Sequence, residues 1–216
     1  MATLGSENIS VVLPEGVSED AVKVTTGEDG NNLVVINNNV SGLEIAATGE
    51  NTGVSGKRVE ESTVSATPSK GETSNVVVET TVFKGNTIAN DGQGALEVNI
   101  NTGKFKKSTI DAGNKKRDDL VRFKDDAKVI KSTVDLGKGN DTVRFGKAAS
   151  FKGKTTVDLG KGGTDAIVIE ADAVKGGKLV VTSFSKKDTI TVGEETFTYR
   201  DIKNGAEIPG VKVQLA

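Results

Sequence analysis

The chain lacks cysteine, histidine and tryptophan, and its 216 residues include one tyrosine and three prolines. Without cysteine it has neither disulfides nor a thiolate nucleophile. Without imidazole or thiolate it lacks the usual ligands of zinc and the most common general base. The shortage of tyrosine and tryptophan also removes the usual stacking partners of single-stranded nucleic acids. We therefore expect no zinc chemistry and no specific nucleic-acid binding.

Long apolar runs are absent as well. The aliphatic runs, such as residues 33–36 and 76–78, are far too short to span a membrane. The first six residues show neither the basic segment nor the apolar segment of a secretory signal. We expect no membrane span and no cleavable signal peptide.

The composition that remains favours strands. The chain contains 28 valines and 23 threonines against 10 leucines, together with 26 glycines. Side chains branched at Cβ are stiff and fit a pleated surface better than a helix. The composition predicts an all-β protein with very little helix.

A repeat of 22 to 25 residues dominates the second half of the chain. Its clearest mark is an aspartate at the end of a turn, followed two residues later by an aliphatic side chain. These aspartates are spaced 22, 24 and 23 residues apart: Asp119, Asp141, Asp165 and Asp188. Each short unit can bury its apolar side chains only against copies of itself. The repeat therefore predicts a parallel β-helix or β-roll, with a strand, a tight glycine turn and a second strand in each coil.

The repeat also predicts which side chains point inward. One column of large apolar residues recurs just before a lysine, and further apolar residues recur at the same period. We expect the following to stack inside the coil: Phe83, Phe105, Ile130, Phe151, Val174, Phe123, Phe145, Ile110, Val134, Val157 and Val181.

Three regions are expected along the chain. Residues 1–75 form an acidic N-terminal β region in which residues 48–72 are loop or linker, residues 76–193 form the solenoid, and residues 194–216 form a C-terminal cap. The net charge is −7 over residues 1–75 and +5 over the rest. A cap is expected because a bare strand edge invites pairing with another chain.

Two glycine-rich turns resemble a known repeat family. Residues 135–143 (Asp-Leu-Gly-Lys-Gly-Asn-Asp-Thr-Val) and 158–167 (Asp-Leu-Gly-Lys-Gly-Gly-Thr-Asp-Ala-Ile) are similar to the repeats of the RTX, or haemolysin-type calcium-binding, family. The resemblance implies a solenoid whose stacked turns offer oxygens to Ca²⁺, which takes six or more. It implies these ligands: the carboxylates of Asp141 and Asp165 and the carbonyls of Gly137, Gly139, Gly160 and Gly162.

The aspartate column has a second interpretation that needs no metal. An aspartate in a turn bonds the backbone two residues further on, and glycine supplies the positive φ that tight turns require. Arg117, Lys138 and Lys161 lie in the same turns and could supply the counter-charge.

A lysine follows each inward apolar residue of one column: Lys84, Lys106, Lys131, Lys152 and Lys175. Such a ladder could hold a polyanion, or the acidic residues 1–75 of a neighbouring subunit. Protection of the sheet and solubility are the simpler interpretation.

Three functions remain open. The first is a non-enzymatic structural or adhesive solenoid, a projection or decoration on a virion or an extracellular surface that contacts protein partners or itself. The second is a secreted calcium-binding module of the RTX type. The third is a polysaccharide-degrading β-helix enzyme, in which Asp141 would act beside Arg122 and Arg144. We expect the first, and hence no enzymatic activity.

Overall fold

The computed structural model of the chain describes residues 2–6, 8–26, 31–48, 51–170 and 177–215. Strands make up 58% of the chain and helix 4%, and the strands stack in parallel as a β-solenoid of about seven coils. The predicted all-β solenoid is therefore confirmed. No helix in the described ranges is long and apolar enough to cross a membrane.

The chain first forms two antiparallel strands, a short 3₁₀ turn at residues 19–21 and a third strand, and then enters the solenoid. The N-terminal strands are β1 (Ala2–Ser6), β2 (Ile9–Leu13) and β3 (Val22–Thr26). The first three coils contain β4 (Asn32–Ile36), β5 (Val40–Ser41), β6 (Glu44–Ala47), β7 (Asn51–Glu60), β8 (Thr63–Ala66), β9 (Thr73–Lys84) and β10 (Thr87–Asn90).

The later coils repeat this order with shorter strands. They contain β11 (Ala95–Ile100), β12 (Lys104–Lys106), β13 (Thr109–Asp111), β14 (Leu120–Phe123), β15 (Lys128–Ile130), β16 (Thr133–Asp135), β17 (Thr142–Phe145), β18 (Ser150–Lys152), β19 (Lys154–Asp158), β20 (Ala166–Ile169) and β21 (Lys178–Phe184). The C-terminal elements are β22 (Thr189–Val192), β23 (Glu195–Thr198), the helix α1 (Tyr199–Lys203) and β24 (Val211–Leu215).

Each complete coil has three strands, so the solenoid has three faces. Face one contains β4, the start of β7 and β9, then β11, β14, β17, β20 and β22. Face two contains β5, the end of β7 and β9, then β12, β15 and β18. Face three contains β6, β8, β10, β13, β16, β19 and β21. The repeat predicted two strands per coil. The strands of face two were missed because a run of three residues resembles the loop that connects one coil to the next.

The predicted loop or linker at residues 48–72 is wrong. Strands β7 and β8 occupy much of it, and both pair in parallel with the coils on either side. Their inward side chains are small, for example Thr52, Val54 and Ala66, all fully buried. Because these inward side chains are small and alternate with serine and glycine, the sequence shows no strong apolar pattern. The alternation of inward and outward residues that marks a strand is therefore not evident. Parallel pairing therefore begins at Asn32, well before the predicted start of the solenoid.

A stack of phenylalanine rings fills the centre of the coils. Successive ring centroids are 5.7 Å apart for Phe83 and Phe105, 5.4 Å for Phe105 and Phe123, and 5.0 Å for Phe123 and Phe145. Phe151 follows edge-on, 5.0 Å from Phe145. Offset and edge-on contacts at such distances are the geometries that aromatic rings prefer. The phenylalanines were thus placed correctly from the repeat.

One member of the predicted inward column is wrong. Phe105, Val129 and Phe151 are in register, whereas Ile130 is in register with Lys106 and Lys152 and points outward. Because a strand alternates its faces, an error of one residue moves the side chain to the opposite side. The four aliphatic residues of face three, Ile110, Val134, Val157 and Val181, are buried and in register as predicted. The predicted positions of Val174 and Lys175 lie outside the described residues.

Additional strands cover the ends of faces one and three, and all of them except β24 are antiparallel to their partners. At the N-terminal end β1 pairs with β2, β2 with β6, and β3 with β4, all antiparallel. At the C-terminal end β23 folds back on β22, and β24 lies beside β21 after α1. The Thr198 and Asp201 side chains form a capping box that starts α1. Both the irregular N-terminal β region and the C-terminal β cap are therefore present.

Truncation of the central ring stack tests this core. We expect Phe105→Ala to lower the free energy of unfolding by about 3–5 kcal/mol, since the coils above and below cannot close on the cavity. Phe197→Ala, at the half-buried cap, is the control and should cost clearly less. Urea unfolding followed by circular dichroism measures both, and equal costs would contradict the central role of the stack.

Candidate functional site

The repeated aspartates Asp119, Asp141, Asp165 and Asp188 form a buried column, here called the inner aspartate column. Each lies at the end of a turn, just before a strand of face one. Each has 3% or less of its surface exposed. One carboxylate oxygen of each accepts a backbone N–H from the preceding coil: Leu96 to Asp119 (2.6 Å), Asp119 to Asp141 (2.7 Å), Asp141 to Asp165 (2.8 Å) and Asp165 to Asp188 (3.0 Å).

Other aspartates make the predicted turn-forming bond to the backbone two residues further on. Asp111, Asp135 and Asp158 end the strands of face three and form the outer aspartate column. Each accepts the N–H of the glycine two residues further on, at 2.8 to 3.1 Å. The inner column thus links coils, and the outer column shapes turns. Asp188 does both, since it also accepts the N–H of Ser185 within its own turn at 2.6 Å. The two roles look alike in sequence, because both place aspartate beside glycine.

Burial raises the pKa of the inner carboxyl groups. The pKa of Asp141 is raised to about 8, first by loss of hydration and then by the negative charges of Asp119 and Asp165, although the Asp119 N–H opposes the shift. The pKa of Asp119 and that of Asp165 are each raised to about 6, again mainly by burial. Burial and the charges of Asp158 and Asp111 also raise the pKa of Asp135 in the outer column. Retention of a proton by Asp141, between Asp119 and Asp165, is therefore favoured over three adjacent charges.

The glycines predicted as ligands form stacked turns beside this column. A Cβ on Gly137 would lie 1.7 Å from the carbonyl oxygen of Gly113, and a Cβ on Gly160 would lie 1.7 Å from that of Gly137. Both residues also have a φ near +75° (77° and 73°), which favours glycine. The Gly137 carbonyl already accepts the N–H of Lys161 at 2.9 Å. Close stacking of the coils is thus sufficient to explain why residues 137 and 160 are glycine.

A buried guanidinium occupies the equivalent turn of an earlier coil. Arg117 is 8% exposed and donates to the carbonyl oxygens of Gly92 (2.8 Å), Gly94 (2.6 Å) and Ala112 (3.1 Å). The positive charge of Arg117 opposes part of the rise that burial causes in the pKa of Asp119, as expected of a counter-charge. This turn therefore holds its own cation among backbone carbonyls.

The six residues predicted to bind calcium match this ion only in part. Asp141 and Asp165 lie in one column, but each has one oxygen committed to a backbone N–H. The second oxygens of Asp119 and Asp141 are buried without a hydrogen-bond partner among the described residues. No three acidic, histidine or cysteine side chains within the described ranges converge to hold a metal ion.

A second ladder of side chains, at the corner between faces two and three, was missed in the sequence. The Ser62 N–H donates to Asn86 Oδ1 (2.7 Å), the Asn86 N–H to Ser108 Oγ (3.1 Å) and the Ser108 N–H to Ser132 Oγ (3.3 Å). Its pattern matches that of the inner aspartate column, with the acceptor always in the following coil. The sequence signal for this ladder is the recurrence of serine or asparagine every 22 to 24 residues. This signal is weak, because both residue types are common in any turn.

The groups considered for polysaccharide cleavage are not brought to one surface. Asp141 has no exposed surface, whereas Arg144 is exposed on the exterior of face one. Arg122 forms an ion pair with Glu97 on the same exterior. A carboxylate that water cannot reach is poorly placed to act on a polymer.

The predicted lysine ladder is real but shifted. Lys84, Lys106 and Lys152 lie in one register column, which Ile130 interrupts. Lys131 lies one position further on, in the corner, with a positive φ of 49°. Face two therefore presents lysines in two neighbouring columns.

The fold and its corners define the chain as a capped parallel β-solenoid. No protein-family model, curated protein or solved structure matches it. The resemblance to RTX repeats therefore rests on the two glycine-rich turns alone.

The inner aspartate column predicts an unusual pH dependence of stability. Because the folded pKa values of Asp119, Asp141 and Asp165 lie above the ordinary value of 3.8, their contribution is complete below about pH 4. It is lost as the pH rises through 6 and then 8. We expect the free energy of unfolding to fall over this interval, measured by urea unfolding at each pH.

Asp141→Asn isolates the residue with the largest shift. The amide oxygen can still accept the Asp119 N–H, and the side chain carries no charge, so we expect this variant to be more stable than the wild type at pH 8. Its stability should also change less between pH 6 and 8. Asp158→Asn, in the outer column, is the control and should keep the wild-type slope. An unchanged slope in Asp141→Asn would contradict this assignment.

Proposed function

We propose that the chain is a non-enzymatic structural or adhesive solenoid, a projection or decoration on a larger assembly such as a virion or a cell surface. The observation that carries the proposal is the combination of covered ladder ends on faces one and three with open flanks. Antiparallel strands cover both ends of face one and the N-terminal end of face three, and β24 covers the C-terminal end of face three. The three faces between them present regular rows of polar side chains.

Such a body suits a mechanical or presenting role. The central coils bond to their neighbours through three parallel ladders and two corner ladders of side chains, so bending requires many hydrogen bonds to break together. The rows repeat at the spacing of parallel strands, about 4.8 Å. A partner with its own repeat can then make the same contact several times.

The grooves give little support to catalysis. A groove of about 730 Å³ at the C-terminal cap is lined by apolar side chains such as Ile202 and Ile208 and by Lys178 and Lys212, and Glu207 is the one carboxylate among the described residues that line it. A smaller groove of about 330 Å³ lies over the outer aspartate column, beside Lys138 and Lys161. Asp135 and Asp158 there are already held by turn glycines.

Localisation tests the proposal. Antibodies raised against the folded chain, used for immunogold electron microscopy of the cells that produce it and of their particles, should label the outer surface. Serum absorbed with the purified chain is the control and should give no label. Label confined to the cell interior would contradict a surface role.

The second candidate function is a calcium-binding module. One observation favours it, namely the unpartnered buried oxygens of Asp119 and Asp141. If Ca²⁺ were bound there, it would add positive charge beside Asp141 and would keep the carboxylates ionised.

A thermal melt separates the two candidates. Under our proposal, 5–10 equivalents of Ca²⁺ at about pH 7 leave the melting temperature within about 1 °C of that in EDTA, because an ion that does not bind the folded state cannot stabilise it. Mg²⁺ serves as the control for ionic strength. A rise of several degrees that is specific to Ca²⁺ and disappears in Asp141→Asn would favour the calcium module instead.

A further inference from the structure

Seven lysines occupy face two and its corner with face three in three successive coils. They lie in β12, β15 and β18, in the corners that follow these strands and at the first position of β19, and we call this set the lysine surface: Lys104, Lys106, Lys107, Lys128, Lys131, Lys152 and Lys154. Residues 104–107, 128–131 and 150–154 contain no aspartate or glutamate. All seven side chains are exposed or half-exposed.

Like charges lie side by side on this surface. Lys104 and Lys128 are direct register partners on adjacent parallel strands. Lys106 and Lys152 share the next column, two coils apart. Like charges opposite one another weaken a sheet. Stability alone therefore does not account for so many lysines at these positions.

Acidic side chains do not neutralise the surface. None of the seven lysines forms a salt bridge with a described residue, whereas Lys84, at the edge of the patch, pairs with Glu60 at 2.8 Å. The turn before β15 contains Asp125 and Asp126, and Asp125 accepts the N–H of Lys147 there. Neither aspartate forms a salt bridge with any of the seven lysines. Among the described residues, the lysine surface therefore carries positive charge that no ion pair neutralises.

The corner also makes room for a lysine side chain. A Cβ on Gly153 would lie 2.9 Å from Cγ and 3.1 Å from Cε of Lys131. The side chain of Lys131 therefore lies across Gly153, towards the next coil. This arrangement extends the row of cations along the axis of the solenoid.

We propose that the lysine surface binds a linear acidic polysaccharide, with the polymer aligned along the solenoid axis. Successive coils are about 4.8 Å apart, which is close to the length of one pyranose residue in an extended chain, so one carboxylate per sugar can meet each coil in turn. Lysine is a compact charge on a flexible stem and does not demand the fixed bidentate geometry of arginine. The inference rests on the adhesive role proposed above and names its partner.

Nucleic acid fits the surface less well. The phenylalanines of these coils, Phe105, Phe123, Phe145 and Phe151, are all buried, so the surface offers no aromatic ring on which a base could stack. It also contains no arginine to read a base edge. A polymer whose recognition rests on regularly spaced charge needs neither.

Binding of polygalacturonate to the full chain tests the proposal. Biolayer interferometry at 50 to 300 mM NaCl should show binding that weakens steadily as salt rises, since the contacts are ionic. The variant Lys104→Gln/Lys128→Gln/Lys152→Gln should bind about tenfold more weakly or worse, with a shallower salt dependence. Dextran, which is uncharged, should not bind.

A matched triple variant tests whether binding depends on the lysine surface or only on the net charge of the chain. Lys138→Gln/Lys161→Gln/Lys187→Gln removes the same charge from the exposed turns between faces three and one, and should keep the affinity within about twofold of the wild type. Absence of binding, or an equal loss in both triple variants, would overturn the proposal. Tighter binding of duplex DNA than of polygalacturonate would overturn it in favour of a nucleic-acid surface. Immunogold label on an outer surface would leave the proposed function standing in either case.

Discussion

The structure depends on how backbone N–H groups are satisfied at the corners of the coil. Where the chain turns from one face to the next, it leaves the parallel ladder, and a buried N–H without a partner costs about 1–3 kcal/mol. Asp141 accepts such an N–H from Asp119, and Ser108 accepts one from Asn86. At both corners the acceptor side chain belongs to the following coil, so each coil fixes the register of its neighbour.

This constraint also explains the electrostatics of the chain. A neutral serine or asparagine solves the problem without charge, but an aspartate column places carboxylates in an interior where hydration is lost. The result is a set of raised pKa values around Asp141, and a buried Arg117 held by carbonyls in the adjoining turn. The same turns resemble calcium-binding repeats, because both arrangements need glycine for close stacking and aspartate for its oxygens.

Much of this architecture could be predicted from the sequence. The spacing of Asp119, Asp141 and Asp165 predicts the coil length, and the phenylalanines predict the core. Ile130 was misplaced because it precedes a lysine, as Phe105 does. The five-residue spacing from Phe105 to Ile110 recurs from Val129 to Val134 and identifies Val129 as the inward residue. The strands at residues 51–66 were missed because their inward side chains are small. The roles of the inner and outer aspartate columns could not be separated, since the acceptor and the donor belong to different coils.

The corners fix the shape, and this leaves the exterior of each face free to carry rows of charge such as the lysine surface.

Native-state hydrogen exchange measured by NMR tests the central claim most directly. The amides of Asp119, Asp141, Ser62 and Asn86 should exchange as slowly as those in the middle of β9 and β14, because corner side chains hold them. Exchange at these amides as fast as at the exposed turn residue Lys187 would show that the corners are open and would contradict the account.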